Sequence, residues 1–319
     1  MKHISDIKIK NAAPQIFTRP FLFVEPNTRM LQIGTFLAIG PQIYVDGLVV
    51  ISENDKGQRG GPLGRIGCKH IMSKLLDFDY PAWLDTKASQ IMDSTTVALE
   101  MDSTLSSALE IFEKTRFAFV PIVANRETER DEGTGGGSSV VTAALAVRDV
   151  LPLIVRANIA IPIKRISSPL VSVDGNTSVM DALCYMIRTG IRNIGIKEDV
   201  IVDVCANSSG IEDGAESHIV RIVNDRKILE FLFSHKGREI LRKNGVAGLR
   251  DINIINHLDI ISMARIKSET TVSKAAELLL DIRNPCLISE GYKGEENTDH
   301  YIVTPWDVVM KTLKSENTA

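Results

Sequence analysis

One seven-residue pattern recurs four times along this chain. It runs aliphatic, charged, any residue, Asn/Asp/Glu, Thr/Ser, any residue, apolar. The copies are VEPNTRM from Val24, LEMDSTL from Leu99, VDGNTSV from Val173 and IKSETTV from Ile266. Recurrence at intervals of about 75 residues, the last one longer, marks a repeated structural unit. Each copy reads as a strand end followed by a helix N-cap, at Thr28, Ser103, Thr177 or Thr270.

The residues after each copy have helical period. Val272, Ala275, Ala276, Leu279 and Leu280 fall on one face, as do Val179, Ala182, Leu183, Met186 and Ile187, and Leu105, Ala108, Leu109 and Phe112 for one turn less. A short apolar strand comes next: GLVVI from Gly47, FVPIV from Phe119, NIGI from Asn193 and PCLI from Pro285. Polar, glycine-rich stretches then suit hairpin loops, and a second strand leads into a helix such as RDVLPLIV or WDVVMKTL. The unit is β-α-β-β-α. Four tandem copies over 15–76, 87–156, 163–234 and 252–314 predict an α+β fold, with the longer loop around NSSGIEDGAES widening the last interval. That loop and RETERDEGTGGGSS are expected to be irregular and easily nicked. GTGGGSS lacks the lysine of a phosphate-binding P-loop and reads as a flexible linker.

Composition sets limits on function. The chain has 319 residues, 44% hydrophobic and 24% charged, with a net charge of -3, so no electrostatic footprint favours nucleic acid. The basic run at Lys236, Arg238, Arg242 and Lys243 reads as a solvated helix face. Cys68, Cys184, Cys205 and Cys286 are scattered and the six histidines isolated, so no metal site is expected and reduced thiols point to the cytoplasm. No signal-peptide pattern opens the chain, and no apolar run approaches the ~18 residues of a membrane span. No Cys/His or Ser/His arrangement marks a catalytic nucleophile.

The closing stretch YIVTPWDVV, from Tyr301, ends a strand in Thr304-Pro305-Trp306-Asp307. Thr304 suits an N-cap, Pro305 the first helical position, and Asp307 the N3 position near the positive end of the helix dipole. The same hydroxyl and carboxylate suit the phosphate and ribose diol of a nucleotide. The two roles are compatible.

The unit, its opening SPLVSVDGNTSV, its middle GIRNIGI and its close IVTPWDVV resemble cystathionine-β-synthase (CBS) domains, over roughly Phe17 to Leu313. The layout is similar to the gamma subunit of AMP-activated protein kinase, with four units in one chain. The resemblance implies two pairs of units (two Bateman modules) and an adenosine ligand in the clefts between paired units. In this family a Gly-x-x-Thr/Ser-x-x-Asp motif at the last strand–helix junction holds ribose and phosphate. Thr304 and Asp307 match it, with Ile302 and Val303 leading in and Tyr301 in place of the glycine. The adenine side then falls to Val171, Ile191, Arg192 and Asn193 of the third unit. Ile191 would face the base, and the planar fork of Arg192 would reach a phosphate.

The other junctions depart from the motif. The second unit keeps Asp149, with Phe23 and Val45 as its opposing wall, but has Ala143 and Ala146 for the glycine and hydroxyl. The first has Gly67 and His70, the third Asn224 and Lys227, and an ammonium cannot accept hydrogen bonds from a diol. This implies one site per pair, the better one in the fourth unit.

The function implied is a non-catalytic regulatory sensor. It would bind AMP, ADP or ATP, with S-adenosylmethionine or a cyclic dinucleotide also open, and pass occupancy to an unknown protein partner. Enzymes of the family carry catalysis in a separate domain, for which the ends leave no room; no cofactor is required, and two chains could pair. The alternative is a scaffold or gene-regulatory interaction protein with vestigial nucleotide pockets.

Overall fold

Four short sheets carry the repeat in a computed structural model that describes residues 4–39, 46–53, 59–77, 79–125, 139–197, 220–263, 265–290 and 300–313. The two long loops expected to be nicked lie outside the described residues or at their edges. In the first sheet β1 (Phe23–Val24) runs parallel to β2 (Leu48–Glu53), which pairs antiparallel with β3 (Arg59–Ile66). The second sheet repeats this with β4 (Leu99–Glu100), β5 (Phe119–Asn125) and β6 (Ser139–Ala146).

The second half adds a crossing. Its strands are β7 (Ser168–Pro169), β8 (Ser172–Asp174), β9 (Asn193–Lys197), β10 (Val220–Asn224), β11 (Ile261–Met263), β12 (Arg265–Ile266), β13 (Leu287–Glu290) and β14 (His300–Val303). The third sheet has the order β11-β10-β9-β8 and the fourth β12-β13-β14-β7. Each sheet thus takes its last strand from the segment that enters the other unit. Ser168 stands opposite Ile302, and Ile261 opposite Ile222. The crossing sets Ser168 beside the junction that ends in Asp307.

The helices start one residue later than the repeat suggests. Thr104, Ser178 and Thr271 are the N-caps, accepting from the N–H of Ser107, Asp181 and Lys274. The preceding hydroxyl residues close the turn before the helix. Ser103 and Thr28 accept from the N–H of Glu100 and Glu25 at 3.1 Å, while Thr177 and Thr270 donate their N–H to Asp174 and Lys267. Of two adjacent polar residues, the second has the extended backbone of a cap, as at Thr104 (φ -78°, ψ 158°).

Sheets pack within pairs and helices between them. Val49, Ile51, Phe119 and Val141 join the first two sheets, and Val220, Ile222, Ile288 and Ile302 the last two. Helical residues of the first and third units share one core, including Ile33, Leu37, Leu183 and Leu232. Those of the second and fourth share another, including Leu109, Ile154, Ala276 and Leu279. Gly34 shows how closely the first of these contacts is fitted: a Cβ there would lie 1.9 Å from the Phe233 ring, so a larger residue forces the helices apart. The result is a ring of four units around a common centre.

Candidate functional site

At the last junction the strand β14 gives way to a helical turn because Thr304 and Asp307 bond each other. The Thr304 N–H and hydroxyl donate to Asp307 Oδ2 at 2.9 and 2.6 Å, and the Asp307 N–H donates to Thr304 Oγ1 at 3.3 Å. The cap is therefore real. It leaves Asp307 Oδ1 toward Ser168, whose hydroxyl donates at 3.2 Å, and toward the Lys311 ammonium at 2.9 Å. Lys311 is itself tied to the Ile166 carbonyl (2.7 Å) and to Ser168 Oγ (2.8 Å). The turn Asp307–Lys311 is π-helical, a local widening that often accompanies functional sites.

Asp307 lies on the wall of a cavity of about 1060 Å³ at the centre of the ring. The crossing of β7 and the pairing of units bring seven of the sequence-predicted residues to this wall: Thr304, Asp307, Ile302, Val171, Ile191, Arg192 and Asn193. Val303 is not among them. Side chains alternate along a strand, so Ile302 faces the cavity while Val303 turns fully into the helical core. Phe23 lines a separate hollow of about 390 Å³ with Asn27, Thr28 and Phe36, and Val45 lies outside the described residues.

Asp149 stands apart from the cavity and is already engaged. The Arg19 guanidinium grips both carboxylate oxygens at 2.7 Å, and the Ala146 N–H donates to Oδ2 at 2.7 Å. Burial pushes this carboxyl up from its ordinary value, against the pull of Arg19. The first unit's junction is also filled. His70 stacks on Phe117 (5.1 Å between centroids) and accepts the Gly67 N–H on Nδ1. The buried Arg65 guanidinium covers the same ring at 4.1 Å.

The cavity is rich in cations, which single residues in the sequence did not reveal. Lys69, Arg148, Arg226 and Trp306 all line it, and each directly precedes the last motif position of its unit: His70, Asp149, Lys227 or Asp307. Superposing the repeats would have exposed this column. Arg116, Arg192, Lys227 and Arg283 add to it, against the carboxylates of Asp46, Asp225, Asp259 and Asp307.

These cations differ in freedom. Arg192 donates from Nε to Asp225 at 2.7 Å and reaches Asp46 at 3.5 Å, and the Asp225 carboxylate raises its pKa above the usual arginine value. Arg148 donates to the Leu279, Asp281 and Asn284 carbonyls at the end of helix Val272–Leu280, so it latches the second unit to the fourth. Burial, with Arg226 and Arg192 nearby, pulls its pKa down to about 10. Lys227, tied to Glu230 and Asp259, fills the third unit's motif position. Lys69 and Arg116 make no ion pair or side-chain hydrogen bond among the described residues. Net positive charge in a partly enclosed hollow focuses field on an anion.

Among the described residues no His/Cys/Asp/Glu group is placed to hold a metal ion, and no helix is long and apolar enough to cross a membrane.

No protein-family model and no curated protein matches the sequence. Solved structures do match. The structure of protein MJ1225 from Methanocaldococcus jannaschii, put forward as an archaeal homologue of the gamma subunit of AMP-activated protein kinase, has a TM-score of 0.70 at 16% identity. The match covers 97% of this chain and 100% of that one. The CBS-domain containing protein ATU1752 from Agrobacterium tumefaciens gives 0.33 at 20% identity over 46% of this chain and 98% of its own. The CBS domain pair of protein MJ0100, solved with 5′-methylthioadenosine and S-adenosyl-L-methionine, gives 0.33 at 16% identity over 48% and 98%. The chain thus shares the fold of the MJ1225 structure from end to end, as four units in two pairs closed around one cavity, the layout that the CBS resemblance predicts.

Proposed function

We propose that the chain is a non-catalytic sensor that takes an adenosine nucleotide (AMP, ADP or ATP) into the central cavity and passes its occupancy to a protein partner. The ribose diol takes Asp307 Oδ1 in place of Ser168 and Lys311, the base lies against Val171 and Ile191, and the phosphates extend toward Lys69, Arg116 and the outer edge of Arg192. The observation that carries this reading is the meeting of an acceptor-only carboxylate with an excess of cations in one hollow of about 1060 Å³. A diol needs the first and phosphates need the second.

Arg116 adds support. It is a C-cap residue at φ 58°, a left-handed conformation that costs a non-glycine residue about 1–2 kcal/mol. Its side chain lines the cavity with no ion-pair partner among the described residues. A strained backbone beneath a free cation is a reason to look for an anion.

The cavity wall also offers a route for signalling, because both pairs build it. Asp46 of the first unit meets Arg192 and Arg226 of the neighbouring third unit, in the other pair, at 3.5 and 3.7 Å. Phosphates near Arg192 compete with Asp46, so ligand favours one arrangement of the two pairs over another. The buried thiols give no support for chemistry: burial pushes Cys68 and Cys286 up to about 12.

Thermal melting with each nucleotide tests the proposal. Saturation at a hundred times Kd stabilises the folded state by about 2.7 kcal/mol, which shifts the midpoint upward by several degrees. No shift with any adenosine ligand favours a scaffold, and turnover of an added nucleotide favours an enzyme.

A further inference from the structure

The closing junctions of the two pairs differ in the donors set before the carboxylate. Aligning Val24 with Val173 puts TRPFLFV over SSPLVSV, so Arg19 takes the place of Ser168. Both residues reach the carboxylate of the paired unit's junction. Ser168 donates one hydrogen bond to Asp307 Oδ1 at 3.2 Å, beside the Lys311 ammonium at 2.9 Å, whose counterpart in the second unit is Leu153. Arg19 instead covers Oδ1 and Oδ2 of Asp149 together at 2.7 Å. In both units the inner oxygen also takes a backbone N–H, from Thr304 or Ala146. Asp149 therefore has its donors from this chain, in the bidentate geometry that suits a carboxylate best.

The segment that carries Arg19 is fastened down. Ile9 donates to the Ser103 carbonyl and Leu105 to the Ile7 carbonyl, both at 2.9 Å, and Ile9, Ala12 and Ile16 are buried in the core shared by the second and fourth units. Gln15 Nε2 donates to the Asp149 carbonyl at 3.0 Å, so two side chains of one arm hold the same residue. The Asp149 side chain is 4% exposed and that of Arg19 34%. The guanidinium thus lies between the carboxylate and solvent, where an incoming hydroxyl would have to pass.

We infer that Arg19 is a built-in occupant of the diol position of the first pair: the N-terminal arm closes a second nucleotide site that the repeat would otherwise provide. This rests on the reading of Asp307 as a diol acceptor. It confines ribose recognition to the second pair and assigns the arm a role beyond packing. The ligand class excluded is any adenosine nucleotide whose ribose diol needs the outer oxygen of Asp149, which Arg19 already holds. Serine, one donor on a short stem, and the part-exposed Lys311 are single donors that a diol can displace from Oδ1, whereas arginine at the same repeat position holds both oxygens at once.

Calorimetric titration with AMP and with ATP tests this on the full chain, with wild type, Asp149→Asn, Arg19→Ser and the Arg19→Ser/Asp149→Asn double variant. Asp307→Asn is run beside them. The expected result is that Asp149→Asn leaves the wild-type stoichiometry and affinity unchanged. Arg19→Ser, which copies Ser168, adds one site, and the double variant loses it again. Loss of a wild-type site in Asp149→Asn overturns the inference, because Arg19 would then be no barrier; this arm stands even where Arg19→Ser does not fold. A folded Arg19→Ser with no added site overturns it as well. Insensitivity of every site to Asp307→Asn defeats the functional reading instead, and a site appearing in Arg19→Ser is scored separately from that result.

Discussion

Arg116 and Gly190 hold the same backbone shape at the same point of the repeat. φ is 58° at the arginine and 75° at the glycine, each the C-cap of its unit's first long helix. Glycine is the residue this conformation favours. Replacing Arg116 by glycine should therefore raise stability by roughly 0.5–1 kcal/mol, after allowing for the looser unfolded chain. It should weaken ATP binding about tenfold by removing a free phosphate donor. Chemical denaturation and titration of the same variant read both effects. A stabilised variant with wild-type affinity removes Arg116 from the site.

Arg148 and Lys69 occupy the same column of the repeat but should behave oppositely. Arg148 serves three carbonyls at the end of helix Val272–Leu280. Arg148→Met leaves them unpaired, and a cost of about 1–3 kcal/mol should appear as a lower melting temperature without ligand. Lys69 is exposed and unpaired among the described residues, so Lys69→Ala should leave melting unchanged and lower affinity for ATP more than for AMP. Equal behaviour of the two variants contradicts the division into latch and phosphate donor.

His70 gives stability a pH dependence. Burial lowers its pKa below the ordinary 6.5, with Lys69 and Arg65 also disfavouring the charged ring and Asp93 opposing them. The folded ring stays neutral while the unfolded ring takes up a proton. Stability is thus at its full value above about pH 6.5 and falls as the pH drops from there toward the lowered folded value. His70→Gln should flatten that slope in urea titrations between pH 7 and pH 5. His257, also lowered by burial, leaves part of the slope in place. An unchanged slope in the variant shows that His70 titrates alike in both states.

The two tryptophans separate cavity from core. Trp306 lines the cavity, whereas Trp83 is fully buried, 4.9 Å from Phe233, with its indole N–H 3.4 Å from the Ile71 carbonyl. Added ATP should change the intrinsic emission of wild type and of Trp83→Phe, and leave Trp306→Phe unresponsive. A response that disappears with Trp83 places the ligand elsewhere.

The repeat made the fold legible because four copies of one pattern reinforce each other, down to the shared Ile-Arg-Asn of Ile191 and Ile282. Local hydroxyl pairs were less clear: Ser103 and Thr104 both suit a cap, and the backbone decides for the second. The exchange of β7 and β11 had no sequence signal, since strands of two or three residues show no alternation. Thr304 and Asp307 stood out as a local motif. Ser168, Lys311 and Arg19 did not, because their meaning arises from partners more than a hundred residues away, or from a helix turn seen only once folded. Val303 was misplaced although strand alternation already set it opposite Ile302.

The proposed nucleotide recognition stands on the carboxylate of Asp307, and one titration tests it most directly. Wild type and Asp307→Asn are titrated with AMP, ADP and ATP at one salt concentration, and their melting temperatures are compared. Asparagine keeps the shape and one acceptor for the Thr304 N–H, so the cap should lose about 1 kcal/mol or less, and loss of the Lys311 ion pair lowers the melting temperature further. A diol loses a charge-assisted acceptor worth ~1.5–3 kcal/mol, which is on the order of 10- to 100-fold in affinity. That loss is expected for every nucleotide the wild type binds. Wild-type affinity in a variant whose melting temperature has dropped would contradict it, and Thr304 and Asp307 would then be a helix cap alone.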